Sequence, residues 1–392
     1  MKDTGIKDRA VLSTILLTTM GVATFTALSL GLLAPVFIED LGISRSDVGV
    51  VFSVNTIGAA VLSPVVGRYT DRLGGRIALL SVVGAAAASF VLYGIAWSLG
   101  VLLVGSLFGA VAQAGANPST NKLIADELPA GSQGVVVGIK QSGVQLFIFL
   151  GGIVVPSIVI WWGRGAAYLI LAGVAILTAV AALAVVSASD EPTDSPSVEA
   201  APQLPPDIWW ISVYGFLLGF AGSATVLYAL FIVEQLERGL VVAGYVIAVG
   251  GFLGIPGRII WARHAERSGE FRKPLLTIAL ISVGASASLM VANSGPWWFV
   301  VVAAILTAVG SSSWNSVGML GLIVIAGPAA AGRASGVVLF GFLLGLGAGP
   351  PLFGRMVDAT GSYMGVWWLA MGASTLGAIV MLLWRPSQKA DD

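Results

Sequence analysis

Two basic side chains stand inside long apolar stretches of the sequence, where a charge is costly. Lys140 lies in the segment GIKQSG, and Arg258 lies five residues before Arg263. On insertion scales, a lysine or arginine at the centre of a membrane helix costs about 2.5–3.5 kcal/mol. Each cation either binds an anionic ligand or extends toward a nearby membrane interface. Because no acid falls deep within any predicted span, we interpret the two cations as a site for a small anion.

Side-chain amides near these cations could bind the polar parts of a substrate. Gln141 and Gln145 lie four residues apart, and therefore on one face of a helix. The same spacing separates Gln113 from Asn117, which is followed by Pro118, a residue expected to break or kink that helix. An amide inside a span more often joins two helices than binds a ligand, and this alternative stays open for each of them. The candidate substrate-binding residues are Lys140, Gln141, Gln145, Gln113, Asn117, Arg258, Trp314 and Asn315.

The composition excludes several classes of protein. Of the 392 residues, 57% are hydrophobic and 10% are charged, whereas about 25% of the residues in a typical soluble domain are charged. Basic and acidic residues number 20 each, so no excess of positive charge is available for nucleic acid. With no cysteine and one histidine, the chain cannot form a Cys/His metal site, and its spans contain no catalytic serine–histidine pair. We therefore predict an integral membrane protein that is not an enzyme, with no cofactor, no metal site and no nucleic-acid partner. Its expected partners are the lipid bilayer and a small-molecule substrate.

The elements that must position these residues are helices that cross the membrane. A helix needs about 20 apolar residues to cross about 30 Å of hydrocarbon. The apolar stretches are continuous rather than alternating, which argues against the strands of a membrane barrel. We predict an all-α membrane protein of twelve transmembrane helices in two six-helix bundles, at residues 1–187 and 208–392, joined by a cytoplasmic linker at 188–207. The predicted spans are 11–38, 48–66, 77–96, 99–120, 135–158, 165–187, 208–233, 241–261, 274–293, 297–325, 335–354 and 362–384.

The placement of lysine and arginine predicts the orientation of these spans. With the N-terminus on the cytoplasmic side, most basic residues fall in cytoplasmic connections and few fall in outer ones. Both termini are therefore expected to be cytoplasmic. The short connections and the absence of a targeting segment indicate the plasma membrane of a prokaryote. We expect the protein to be a monomer.

The two halves of the sequence match when residues 195 positions apart are compared. The matches include charged residues in register between the second and third spans of each half, which chance would not readily supply in so apolar a chain. Two six-helix repeats related by a pseudo-two-fold axis, with a site near the midplane, are a transporter design. The aligned pairs include Arg68 with Arg263, Asp71 with Glu266, Arg72 with Arg267, Gly74 with Gly269 and, roughly, Asn117 with Asn315.

The segment GRYTDRLGGR, at Gly67–Arg76, resembles the signature loop of the major facilitator superfamily, which has the form G-x-x-x-D-R-x-G-R-R. The resemblance covers essentially the whole chain, because twelve spans, a long central loop and a degraded second copy at Ala262–Glu270 accompany it. Gly75 departs from the pattern, which frequently has a second base there. In this family the loop latches the two bundles on the cytoplasmic side; the alternative is a solvated loop that obeys the positive-inside rule. The gating residues that the resemblance implies are Gly67, Asp71, Arg72, Gly74, Arg76, Glu266 and Arg267.

Further features favour one kind of transport. Drug–proton antiporters of this superfamily resemble one another in an arginine of the fourth span, where this sequence has Ser106. The segments GANPSTNKLIADELP and GIKQSGVQ resemble those of the small-anion and organic-acid branch. No acid or histidine deep within a span is available for a proton relay, which favours uniport or anion exchange. We predict a secondary transporter that moves a small organic or inorganic anion by alternating access, with efflux of amphipathic drugs or metabolites as the alternative.

Overall fold

The computed structural model describes residues 6–128, 133–186 and 204–386. These residues are almost entirely helical and contain no strand, and ten of their helical segments are long and apolar enough to cross a membrane. Helices are favoured because each satisfies its own backbone hydrogen bonds, which hydrocarbon cannot do. The described part of the chain is therefore all-helical and has the helix lengths and hydropathy of a multi-pass membrane protein. The α-helices are α1 (Ile6–Leu32), α2 (Ala34–Leu41), α3 (Arg45–Ile95), α4 (Leu99–Glu127), α5 (Gln133–Val185), α6 (Asp207–Gly222), α7 (Tyr228–Leu230), α8 (Leu240–Ser268), α9 (Arg272–Ser294), α10 (Phe299–Val309), α11 (Trp314–Thr360) and α12 (Met364–Leu383).

The described residues form two compact units. The first unit takes its residues from 1–43 and 50–196, and the second takes its residues from 44–49 and 197–392. In the first unit, α1 packs against α4 and α5. In the second unit, α6 packs against α11 and α12, and α9 packs against α10 and α12. Each unit therefore has its own set of packed helices.

Glycine residues allow the helices within each unit to approach closely. In the first unit, a Cβ atom at Gly143 would collide with the backbone carbonyl oxygen of Leu17. In the second unit, a Cβ atom at Gly345 would collide with the carbonyl oxygen of Phe216. Close backbone approach of this kind is how membrane helices gain packing energy without a hydrophobic driving force between them.

Several predicted boundaries between elements differ from the structure because of single glycine or proline residues. The helix α3 continues through residues 67–73, so the predicted signature loop is helical as far as Gly74, which has a φ of +81°. The helix α5 is likewise kinked at Gly163, with a φ of +78°. Only glycine adopts such angles at low cost, so one residue replaces each predicted connection. The first predicted span divides at Leu33 into α1 and α2, because Pro35 in the first turn of α2 has no backbone N–H.

Two predicted spans of the second unit are interrupted helices. The span predicted at 208–233 changes from α6 to a 3₁₀ helix at Ser223–Leu227 and, after α7, to a π-helix at Phe231–Gln235. The span predicted at 297–325 divides between α10 and α11 at the segment GSSS, residues 310–313. Serine hydroxyls compete for backbone hydrogen bonds and glycine has low helix propensity, which explains why helices end at such segments.

A buried hydrogen bond joins the beginning of α6 to the residue that follows α12. Asp207 is the first residue of α6 and is 4% exposed, and its Oδ1 accepts a bond of 2.6 Å from Nε1 of Trp384. Trp384 follows α12 directly and is fully buried. The predicted linker at 188–207 lies outside the described residues up to residue 203. The last residue of this predicted linker, Asp207, is buried instead of belonging to a polar tether. It is part of the core because it bonds to Trp384, 177 residues later in the chain.

Candidate functional site

Lys140 is the buried central residue of a polar cluster in the first unit, between α4 and α5. Its side chain is 0% exposed. Its Nζ donates one hydrogen bond to Thr120 Oγ1 at 2.9 Å and another to Asn121 Oδ1 at 2.5 Å. Thr120 Oγ1 donates its own proton to the carbonyl oxygen of Ala116, so it can only accept from the lysine. Both partners of the ammonium group are therefore neutral oxygen atoms.

The ammonium group of Lys140 has no acidic partner in the described part of the chain. There, no carboxylate oxygen lies within 4.0 Å of Nζ. An ammonium group has three N–H donors, and two of them are accounted for. A buried charge is costly unless it is paired, and neutral hydrogen bonds compensate only part of that cost. The third donor and the uncompensated charge are available to a negatively charged group.

Two of the predicted amides, Gln141 and Asn117, extend this cluster. Gln141 Nε2 donates a hydrogen bond of 3.0 Å to Asn117 Oδ1. Gln113 lies one helical turn before Asn117, and its Oε1 is buried without a hydrogen-bond partner among the described residues. Gln145 is 3% exposed. Pro118 does not break α4, which continues past it, because neighbouring groups in a membrane helix can tolerate the missing backbone bond.

The sequence prediction omits two members of the cluster, Thr120 and Asn121. They follow Asn117 by three and four residues, so they share its face of α4. Extending the helical spacing from Gln113 and Asn117 by one more turn identifies them. Their importance depends on Lys140, which reaches them from α5, and that contact is not visible in the spacing along α4.

Arg258 contacts backbone in the second unit. Its Nε donates to the carbonyl oxygen of Ser312 at 3.1 Å, and Nε1 of Trp261, also on α8, donates to the carbonyl oxygen of Val309 at 2.8 Å. Both carbonyl groups lie at the interruption between α10 and α11, where a helix end lacks partners of its own. The hydrogen bond of the half-buried Arg258 thus satisfies a carbonyl group at the break between α10 and α11. The prediction that Arg258 binds substrate stays untested.

Trp314, the first residue of α11, carries an unpaired donor. It is 1% exposed and packs against Tyr214 and Phe342, with ring centroids 6.0 and 5.2 Å away. Its Nε1 is buried and has no hydrogen-bond partner among the residues that the structure describes. Asn315, next to it, is half-buried. The structure thus places Trp314 and Asn315 in the second unit with Arg258, whereas the lysine cluster belongs to the first unit.

The predicted gating residues lie around the Gly74 kink in the middle of α3 and in the last turn of α8. Asp71 and Arg72 are exposed, and neither has an ion-pair partner within the described ranges. Arg76 Nη2 donates to the carbonyl oxygen of Leu183 at 2.8 Å, which places a positive charge at the C-terminus of α5. The close approach expected of a glycine occurs at Gly75, where a Cβ would stand 2.8 Å from Cγ of Leu123.

The remaining predicted gating residues are Gly67 in α3 and the second copy of the motif at the end of α8. A Cβ atom at Gly67 would have open space around it, so this glycine is not required by packing in the first unit. Glu266 and Arg267 are exposed in the last turn of α8. Gly269, the repeat partner of Gly74, ends α8 with a φ of +64°. The two glycines therefore share a positive φ but differ in ψ, which is 161° at Gly74 and 7° at Gly269. The gating role itself stays a prediction.

A charged cluster that sequence reasoning missed lies within the second unit. Arg45 Nε and Nη2 both contact Glu234 Oε2 at 2.9 Å, and Arg45 Nη1 contacts Asp358 Oδ1 at 3.2 Å. The hydroxyl of Tyr363 donates to Glu234 Oε2 at 2.6 Å. Burial first, and then the bond to this carboxylate, raise the pKa of Tyr363 above its usual range. Arg45 and Glu234 are 189 residues apart in sequence, so their spacing gives no signal.

Comparison with known proteins gives a family match and several relatives. The family model described as Major Facilitator Superfamily matches residues 15–292. An uncharacterized MFS-type transporter of Mycobacterium tuberculosis is 25% identical over 354 residues, covering 87% of this chain and 77% of that protein. A provisionally named tartrate transporter of Agrobacterium vitis is 28% identical over 187 residues, covering 46% of this chain and 41% of that protein. A multidrug resistance protein of Proteus mirabilis is 29% identical over 168 residues, covering 40% of each chain.

Proposed function

Because the chain belongs to the Major Facilitator Superfamily, we propose that it is a secondary transporter that moves a small organic or inorganic anion by alternating access. The observation that carries the choice of substrate is the charge of Lys140, which is fully buried and has only neutral partners in the described structure. An anion that accepts a hydrogen bond from the third N–H donor of Lys140 would neutralise that charge.

The surrounding groups suit a small polar anion. Gln141 and Asn117 are joined by a hydrogen bond, and Gln113 keeps a free acceptor near them on α4. Such groups can bind the hydroxyl or carboxyl parts of an organic acid. The similarity to a provisionally named tartrate transporter supports this substrate class, because tartrate is a dicarboxylate with hydroxyl groups.

The proposal includes the arrangement expected from the sequence. It has twelve spans in two six-helix bundles, at residues 1–187 and 208–392, with both termini on the cytoplasmic side of a prokaryotic plasma membrane. The protein is a monomer. Positive φ angles at positions 195 residues apart support the repeat: 62° at Gly42 with 51° at Glu237, and 81° at Gly74 with 64° at Gly269.

We also propose that the kink of α3 at Gly74 and the end of α8 form the gate on the cytoplasmic side. The acid and bases at Asp71, Arg72 and Arg76, with Glu266 and Arg267 in the second copy, stabilise the state that is closed to the cytoplasm. Exposure of Asp71 and Arg72 supports this role, because exposed charges are free to pair in another state of the transport cycle.

Efflux of amphipathic drugs or metabolites is the second candidate function. It is supported by the similarity to the multidrug resistance protein of Proteus mirabilis over 168 residues. An amphipathic cation would be repelled by the charge of Lys140, whereas an anion would be attracted. The two candidates therefore differ in the sign of the ligand's charge.

A ligand screen of the purified full-length protein separates the two candidates. Ligand that binds the folded state raises the apparent melting temperature by mass action. Carboxylates and inorganic anions are expected to raise it, and uptake of the same anions into proteoliposomes is expected to follow. A rise with lipophilic cations alone would refute the anion carrier and support efflux.

A further inference from the structure

A small cavity within the second unit is lined by small apolar side chains and by several hydroxyl groups. It has about 20 Å³ of space for a water-sized sphere, which is enough for about one water molecule or one small ion. Its walls come from the end of α6 and the 3₁₀ helix that follows, from α7, from α9, from the end of α10 and from α12. The hydroxyl-bearing residues that line it include Thr225, Tyr228, Ser282, Ser286, Thr307 and Ser374.

Most of these hydroxyl groups can only accept from a ligand. Thr225, Ser282, Ser286 and Ser374 each donate to a backbone carbonyl oxygen three or four residues earlier, at 2.8–3.3 Å. A carbonyl group cannot donate, so each of these hydroxyl protons is already used and only oxygen lone pairs remain. An anion needs N–H or O–H donors, which this lining mostly lacks. A cation needs oxygen lone pairs, which the lining supplies.

Two further hydroxyl groups, those of Tyr228 and Thr307, also line the cavity. The hydroxyls of Tyr228 and Thr307 share a hydrogen bond of 3.0 Å, which uses one of their two protons. No Asp or Glu lines the cavity, so its oxygen atoms are neutral. Neutral oxygens suit a monovalent cation, whereas a divalent cation is usually bound with carboxylates.

Two interrupted helices meet this cavity. The change from α6 to the 3₁₀ helix Ser223–Leu227 contributes Gly222, Ala224 and Thr225 to its lining. The interruption after α10 contributes Ser311. In transporters, the carbonyl groups of unwound helix segments coordinate sodium ions near the middle of the membrane. Both interruptions therefore place irregular backbone beside the same group of hydroxyls.

We propose that this cavity binds one monovalent cation of the size of sodium, coordinated by the hydroxyl oxygens of α9 and α12 and by the two interrupted helices. The ion would be the coupling ion of the carrier. This role is inferred because the site lies at interrupted helices, which is where transporters bind their coupling ions. This inference extends the proposed function, but its test needs no anionic substrate, so either proposal can fail without the other.

The test measures the apparent melting temperature of the full-length protein in the chlorides of sodium, potassium and choline at equal concentration. Sodium is expected to raise it above the choline value in a saturable way. Ser286→Ala is expected to require about tenfold more sodium for the same rise, which corresponds to one lost oxygen ligand. Ser288→Ala is the matched control, because Ser288 is on α9, is 8% exposed and makes the same backbone bond, but does not line the cavity.

Several outcomes would overturn the proposal. An equal rise in all three salts would be an effect of ionic strength, and a cavity that holds only water would give no sodium-specific rise. An equal loss in Ser286→Ala and Ser288→Ala would place the sodium effect elsewhere. If Ser286→Ala does not fold, saturable binding of radioactive sodium to the unmodified protein decides the matter, and its absence refutes the site.

Discussion

Replacing Lys140 with methionine removes the buried charge while keeping an unbranched side chain of similar length. The ammonium group is fully buried and donates to two neutral oxygens, so an anion bound there would gain a charge-assisted hydrogen bond. At 4 Å, two unit charges attract each other by about 4 kcal/mol at an effective dielectric constant of about 20. The anion must also give up its water, so the net loss is smaller than this.

The expected loss follows from measured hydrogen bonds to charged groups. Such bonds are worth about 1.5–3 kcal/mol, which corresponds to anion binding about 10- to 150-fold weaker in Lys140→Met. The ligand-free protein should change in stability by less than about 1 kcal/mol, because removing a buried charge that has no counter-charge relieves its desolvation cost. Weaker binding with unchanged stability is therefore the signature of a ligand-binding lysine.

Anion binding is measured by isothermal titration calorimetry, and stability by the melting temperature without ligand. Lys122→Met is the matched control, since Lys122 is a partly exposed lysine on α4 that pairs with Asp126 at 3.1 Å. It should bind anions as tightly as the unmodified protein. Unchanged anion affinity in Lys140→Met would refute the reasoning, and so would an equal loss in both variants.

Three further predictions concern the gate, the backbone and the core. Asp71→Asn should reduce transport into proteoliposomes with little loss of substrate binding, because the gate acts after binding. Glu237→Gly should raise stability by about 0.5–1 kcal/mol, since Glu237 has a φ of +51° and glycine adopts left-handed backbone at low cost. Trp384→Phe should lower stability by about 1–3 kcal/mol, because the buried carboxylate of Asp207 loses the indole donor. Melting temperatures of the purified protein check the last two.

Each of these predictions has a control and a contrary result. Normal transport by Asp71→Asn, at the rate of Asp126→Asn, would count against the gate. Gln235→Gly should lower stability where Glu237→Gly raises it, and a loss in both would mean that backbone strain at Glu237 is unimportant. Trp368→Phe, at a side chain that is 55% exposed, should change little; an equal effect of both tryptophan variants would show that the buried bond adds nothing.

The helical architecture could be predicted from the sequence because it depends on long runs of apolar residues. A membrane segment must satisfy its own backbone, so run length and hydropathy are enough to predict a helix. The interruptions could not be predicted in the same way. At Gly74 and Gly163 a single residue kinks a helix of more than 50 residues, and the segment GSSS at 310–313 lies inside an apolar span.

The polar contacts were predictable only where they follow helical spacing. The spacing of four residues identified Gln113 and Asn117 as neighbours on one face, but it did not connect Lys140 with Thr120, because the two lie on different helices. The charged pair of Arg45 and Glu234 is a tertiary contact, and no local sequence pattern indicates it. In a chain with few charges, however, an isolated basic residue within an apolar run was sufficient to select Lys140.

The bond between Asp207 and Trp384 has a consequence for how the protein is made. A ribosome delivers the chain from the N-terminus, so earlier parts can fold while later parts are still being synthesised. Asp207 emerges near the beginning of α6, but its indole partner is added 177 residues later. Until then, a carboxylate destined for the core must remain in water or at the membrane surface. The second unit can thus complete this bond only after Trp384 has left the ribosome, and a chain truncated before Trp384 would lack this step.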